Sequence, residues 1–222
     1  MSARESEASK KERMGALIAQ LKKTYPEAHC ELVHSDPFQL LIATILSAQC
    51  SDKQVNLVTP ALFEKFPQPQ NFANAPIAEI ERLIQRLGLF HSKAKSIQAA
   101  CSAIVERFGG KVPDTLENLL TLKGVGRKTA NVVLGDGFHK TSGVVVDTHV
   151  ARLSGRLGLT RQVIPEKIEA DLEKLTPKSD WTLLSHLLIW HGRKRCSARK
   201  PDCTGCELSA LCPGQIKVKR AQ

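Results

Sequence analysis

The apolar positions of the chain recur mostly at three- and four-residue spacing, as at Met14, Leu17, Ile18 and Leu21, at Leu83, Ile84 and Leu87, and at Leu183, Leu184, Leu187 and Leu188. That period suits helices with one buried face, whereas the two-residue alternation of a half-buried strand is almost absent. The β-like run Val144–Val146 leads straight into Asp147, a good N-cap for the helix that follows. The longest apolar stretch, Phe38 to Ala48, falls well short of the ~20 residues of a membrane span and reads as a buried helix. The pattern predicts an all-α fold.

Turn signals at Tyr25-Pro26, Asp36-Pro37, Phe66-Pro67, Ala75-Pro76, Gly109-Gly110, Val112-Pro113 and Ile164-Pro165 divide this pattern into about ten short helices. At 222 residues the chain can bury one large core or two small ones. A boundary between lobes is expected in the Gly-rich stretch from Gly135 to Gly143, with Asp147 opening the second lobe. Met1 to Arg13 alternates Arg, Glu, Ser and Lys without an apolar core, so it is neither a signal peptide nor a membrane span. Residues 1–13 are expected to form a disordered tail, and the protein to be cytoplasmic, nucleoid-associated if bacterial.

Charge narrows the partners. Lys and Arg number 32 against 22 Asp and Glu, a net charge of +10 that suits a polyanion. Residues 191–222 carry Arg193, Lys194, Arg195, Arg199, Lys200, Lys217, Lys219 and Arg220 against Asp202 and Glu207, a basic segment around a cysteine cluster. Aromatic residues make up only 5% of the chain, too few for a surface that stacks single-stranded bases, so duplex DNA is the better partner.

The run Leu122-Lys-Gly-Val-Gly-Arg-Lys-Thr-Ala-Asn131 carries candidate chemistry. A glycine turn that opens a helix aims several backbone N–H groups in one direction, a concavity that takes phosphate without reading bases. Gly124-Val-Gly126-Arg127-Lys128-Thr-Ala130 imitates a dinucleotide fingerprint, but a helical pattern (Leu116, Leu119, Leu120) precedes it where that motif needs a strand. It also lacks the Gly-Lys pair of a P-loop. By itself the motif equally fits a tight helix–helix turn with a solvated Lys128. Lys128 falls in the first helical turn, where the macrodipole disfavours an ammonium. A free amine attacks electrophilic carbon and forms Schiff bases. Asp147 is a candidate acidic partner beside its N-cap role, able to stabilise a developing sugar cation. Spacing alone does not bring the two together.

Cys196, Cys203, Cys206 and Cys212 form C-x6-C-x2-C-x5-C. Four thiols so close in a cytosolic chain point to a metal site and not to disulfides. Zinc sites commonly use two C-x2-C pairs, whereas the single pair with long, unequal flanks leans towards a [4Fe–4S] cluster. Cys30, Cys50 and Cys101 lie among apolar residues and read as small core hydrophobes.

These residues resemble the endonuclease III-like bifunctional DNA glycosylases of the helix-hairpin-helix superfamily, over nearly the full chain from about Met14. The likeness is carried by Leu41-Ile-Ala-Thr-Ile-Leu-Ser-Ala-Gln49, Gly88-Leu-Phe-His-Ser-Lys93, Gly124–Asn131, Val146-Asp-Thr-His149 and the four cysteines. The resemblance implies two helical lobes with DNA in the cleft between them: a six-helix lobe with the hairpin over 30–140, and an iron–sulfur lobe from 14–29 plus 141–222. It implies a damaged duplex as substrate, no membrane, and a monomer. Lys128 matches the family's nucleophile, Asp147 its catalytic aspartate, and the four cysteines its cluster ligands. Gln49 and Leu89 match residues that fill the gap left by a flipped nucleotide. His91, Gly124, Gly126, Arg127, His149, Arg199 and Lys200 are the remaining expected DNA contacts. The implied activity is removal of oxidised pyrimidines followed by strand cleavage.

Three departures bear on substrate range: Lys123 stands where proline is frequent, and His91 and Cys50 are less usual choices. A sister adenine-removing glycosylase shares hairpin and cluster but lacks the lysine and carries a further C-terminal domain, whereas this chain has Lys128 and ends soon after Cys212. A non-catalytic DNA-binding iron–sulfur module, or an iron–sulfur electron carrier, is the alternative of a different class.

Overall fold

The structure, a computed structural model, describes residues 5–214. Among these, helices run in the order α1 (Glu7–Thr24), α2 (Pro37–Leu46), α3 (Asp52–Lys65), α4 (Pro69–Asn74), α5 (Ile77–Ile84), α6 (Phe90–Phe108), α7 (Leu116–Leu120), α8 (Arg127–Val132), α9 (Thr148–Arg156), α10 (Pro165–Leu175) and α11 (Trp181–Lys194). No strand occurs among the described residues. Val144–Val146 is extended chain instead, and the Val145 N–H donates to Ser185 Oγ at 2.9 Å. The chain divides into two compact units, residues 30–142 and residues 1–29 with 143–222.

In the unit spanning 30–142, Asp36 caps α2 by accepting from the Gln39 N–H at 2.8 Å, and Pro37 occupies the first turn where its missing N–H is harmless. Every residue of α2 from Leu40 to Leu46 is buried, because α3, α6, α8 and the wider π-type turn Val133–Gly137 all pack on it. The long α6 lies against α4, α5 and α2. Phe72 is fully buried, with the rings of Phe66 and Phe38 at 5.0 and 5.8 Å from its own. Gly109 ends α6 in the left-handed conformation at φ 60°.

In the other unit, Met14, Leu17, Ile18 and Leu21 form one face of α1, buried with Val150 and Leu153 of α9, Ile168 and Leu172 of α10, and Leu184, Leu187 and Leu188 of α11. The expected disorder of residues 1–13 needs correction from Glu5 onward. Ser6 caps α1 through the Ser9 N–H at 3.1 Å, so helix begins at Glu7. Arg13 donates to the carbonyls of Leu157 and Leu211 at 2.7 and 3.2 Å and pairs with Glu5 at 2.8 Å, which ties down the start of α1. Residues 1–4 lie outside the described residues, as do Lys217, Lys219 and Arg220 of the basic segment.

Candidate functional site

The helix–hairpin–helix is built from α7, the turn 121–126 and α8. Thr115 caps α7 through the Asn118 N–H, and the turn is closed by the Leu122 and Val125 N–H groups donating to the carbonyls of Leu119 and Leu122. Leu122 and Val125 point inward, whereas Lys123, Gly124, Gly126, Arg127 and Lys128 are exposed. The two glycines differ in their reasons. Gly124 has φ 80°, and a Cβ there would stand 2.9 Å from Cβ of Ser96, so the fold itself requires glycine. Gly126 is extended, with φ −95° and ψ 177°, and a Cβ would meet nothing within 4 Å. Lys128 is the second residue of α8, whose first hydrogen bond runs from the Ala130 N–H to the Gly126 carbonyl at 2.9 Å.

Gln49 and Leu89 share an unusual backbone. Both are exposed and both occupy the left-handed region, at φ 56° and 60°. Side-chain-bearing residues reach that region only when their surroundings impose it, and such strain gathers at functional sites. Leu89 is 57% exposed, which removes core packing as the reason for a leucine there. His91 is exposed as well, with Nδ1 2.8 Å from Glu81 Oε1 and its ring 4.0 Å from that of Phe90. Behind both turns, buried Lys93 points Nζ at Cys50 Sγ, 3.0 Å away.

In the second unit Asp147 caps α9, its Oδ1 accepting from the Val150 N–H at 2.8 Å. His149 Nδ1 lies 3.2 Å from Arg152 Nη2, and Gly192 is fixed as glycine because a Cβ would come within 2.9 Å of that same His149 nitrogen. Arg152 and Arg156 reach from α9 to the cysteine loop. Arg152 donates to the carbonyls of Gly192 and Cys196, both at 3.0 Å. Arg156 donates to Cys196 Sγ at 3.2 Å and to the carbonyls of Ser197 and Ala198 at 2.7 Å. Neither arginine stands out in the sequence, although their four-residue spacing on a helix next to the cysteines was the available signal.

All four cysteines line one cavity of about 50 Å³, closed by Leu153, Leu157, His191 and Leu208. Burial, followed by the neighbouring thiols, pushes the Cys203 thiol up, and burial does the same for Cys206. His191 is buried between Tyr25 Oη at 3.0 Å and Cys206 Sγ at 3.5 Å, and burial lowers its pKa. Arg195 grips Asp202 at 2.6 Å and Glu207 at 2.8 Å, so both acids of the basic segment are engaged inside the loop. Arg199 and Lys200 remain exposed on a turn in which Ser197 Oγ accepts from the Lys200 N–H and donates to its carbonyl.

Residues 42–178 match the model of the HhH-GPD superfamily of base excision DNA repair proteins. Endonuclease III of Synechocystis is 55% identical over 206 residues, covering 93% of this chain and 94% of its own. Endonuclease III of Bacillus subtilis is 44% identical, covering 88% and 90%. A solved structure of a trapped endonuclease III–DNA covalent intermediate superposes with a TM-score of 0.89 at 42% identity, over 95% of this chain and 99% of that one. A thermostable thymine-DNA glycosylase, at 23% identity and a TM-score of 0.83, shares the fold. With its hairpin, its cysteine loop and this degree of likeness, the chain belongs to the HhH-GPD superfamily of base excision DNA repair proteins, among the endonuclease III-like members.

Proposed function

We propose that this protein removes oxidised pyrimidines from duplex DNA and then cleaves the strand at the abasic site, with Lys128 as nucleophile and Asp147 as the assisting carboxylate. The observation that carries this reading is the exposed Lys128 two residues after Gly126, a glycine that no neighbour in the protein requires. Space left open beside an extended backbone is what close approach of a phosphate needs, and it sets the lysine against the adjoining sugar.

The target nucleotide is flipped out of the stack. Gln49 and Leu89 enter the gap it leaves, their exposed side chains held in place by strained turns. Lys128 Nζ attacks the anomeric carbon, the bond to the base breaks, and the sugar cation developing in that step is stabilised by Asp147. The cap uses one carboxylate oxygen of Asp147, and the other serves the sugar. Loss of the ring oxygen bond leaves a Schiff base, which acidifies the neighbouring carbon. Proton loss there expels the 3′ phosphate by β-elimination. His149, Arg127, Arg199 and Lys200 hold the backbone of the duplex, and His91 lies beside the Leu89 wedge.

The cysteine loop fits a [4Fe–4S] cluster held by Cys196, Cys203, Cys206 and Cys212. Four thiols surround one cavity, and their single C-x2-C pair with long, unequal flanks favours a polynuclear group over zinc. Bound there, the cluster would be held by those four thiolates and would brace the loop carrying Arg199 and Lys200. No described helix is long and apolar enough to cross a membrane, and a monomer acting on damaged duplex is the assembly proposed.

Borohydride trapping on a thymine glycol duplex tests the reading. Wild type should yield a covalent protein–DNA adduct and Lys128→Gln none, with duplex binding retained. Absence of adduct from wild type on both this duplex and an abasic one would leave a DNA-binding module in its place.

A further inference from the structure

We infer that Cys50 is a peroxide-oxidisable modification site, with the buried ammonium of Lys93 as the group that favours the oxidised sulfur. Lys93 is 4% exposed and its Nζ donates to Cys50 Sγ at 3.0 Å. Among the described residues no carboxylate pairs with it. A buried ammonium whose side-chain partner is a cysteine sulfur and not a carboxylate is poorly compensated, since buried charges ordinarily carry a counter-charge. Negative charge on the oxidised sulfur, as sulfenate, supplies it. Cys50 is half-buried, so a small oxidant can reach it. Cys30 and Cys101 make internal controls: burial pushes both thiols up to about 12, and among the described residues no lysine acts on either.

The position gives the modification a consequence. Cys50 follows Gln49 and precedes Ser51, the cap of α3. Lys93 lies in the first turn of α6, its N–H donating to the Leu89 carbonyl at 3.0 Å. The Nζ–Sγ contact therefore ties together the two left-handed turns that present Gln49 and Leu89, both within the 30–142 unit. In the reaction the sulfur lone pair attacks one oxygen of hydrogen peroxide, an S–O bond forms as the O–O bond breaks, and the departing hydroxide takes up the thiol proton as water. The sulfur is oxidised by two electrons and the peroxide reduced: thiol plus peroxide gives sulfenic acid plus water. Lys93 holds the sulfenate, and an added thiol reverses the change. The extra oxygen enlarges the tie between the turns and shifts both wedges, which lowers cleavage of duplex DNA; that effect rests on the wedge role proposed for Gln49 and Leu89.

The experiment treats the intact purified protein with hydrogen peroxide, traps sulfenic acid with dimedone and maps peptides by mass. A dimedone adduct is expected on Cys50, none on Cys30 or Cys101, retention in Lys93→Arg and loss in Lys93→Met. An unlabelled Cys50 in wild type overturns the site, whatever the folding of the variants, and equal labelling of folded Lys93→Met overturns the part played by the lysine. Nicking by oxidised wild type should fall severalfold from its untreated level and return with dithiothreitol, while Cys50→Ser should show no fall from its own untreated level. An adduct without loss of nicking, or an equal loss in Cys50→Ser, overturns the effect on cleavage. Protein that never cleaves DNA would fail the proposed function, with the labelling result still deciding the site.

Discussion

Asp147 caps α9 and is proposed to assist the chemistry, two tasks that substitution can separate. Asparagine caps a helix about as well as aspartate, so Asp147→Asn should keep α9 and its stability while removing the carboxylate charge from the site. Asp147→Ala should lose that charge and also about 1 kcal/mol of stability, read from chemical unfolding. Loss of base excision in both, with unfolding shifted only in the alanine variant, is the expected result, and an Asn variant as active as wild type would remove Asp147 from the chemistry. The hairpin glycines make a second pair. Gly124→Ala places a Cβ at φ 80° within 2.9 Å of Ser96 and should destabilise the 30–142 unit by about 1–3 kcal/mol. Gly126→Ala meets no protein atom and should fold normally yet bind duplex more weakly. The motif around Lys128 was legible because every one of its residues lies within ten consecutive positions. The Lys93–Cys50 contact was not, since the two are 43 residues apart and Cys50 reads by itself as one more small hydrophobe.

At the level of elements, α2 shows what a sequence carries well. Its apolar run is buried on every side, so Leu41→Ala should cost about 2–5 kcal/mol, measured by chemical unfolding. The start of α1 shows the opposite case: nothing between Met1 and Arg13 is apolar enough to announce a helix, and Arg13 is held by carbonyls 144 and 198 residues farther along the chain. Long-range hydrogen bonds of that kind leave no periodic trace. The gathering of the four cysteines was legible from their spacing, but the attachment of their loop to α9 was not. Arg156 holds three groups of residues 196–198, and hydrogen bonds from a charged donor contribute about 1.5–3 kcal/mol when sheltered, less at this partly exposed position. Arg156→Ala should therefore lower the iron recovered per chain and the thermal midpoint together, because the thiols lose the scaffold that gathers them. Full iron content in that variant would show that the loop assembles without α9.

For the molecule as a whole, charge is the property that sequence states most plainly and explains least. A net charge of +10 says that a polyanion is attracted but not which cations meet it. The structure subtracts some of them. Arg195 is committed to Asp202 and Glu207, whose carboxyls it helps to hold below their usual range; for Asp202 the Gly205 N–H contributes more. Lys194 lies over the Trp190 ring at 4.2 Å. Arg199 and Lys200 are exposed on the same loop, on a turn that Ser197 closes. If those two neutralise phosphates, the double variant Arg199→Ala with Lys200→Ala should reduce the slope of log affinity against log salt by about 1.8, roughly 0.9 for each phosphate left without its cation. Cations on phosphate read no bases, so affinity should fall equally on damaged and undamaged duplex, and single-turnover cleavage at saturating protein should not change. A fall confined to damaged duplex would instead place the loop at the lesion itself, and an unchanged slope would move the binding surface to the hairpin and the other basic residues of the chain.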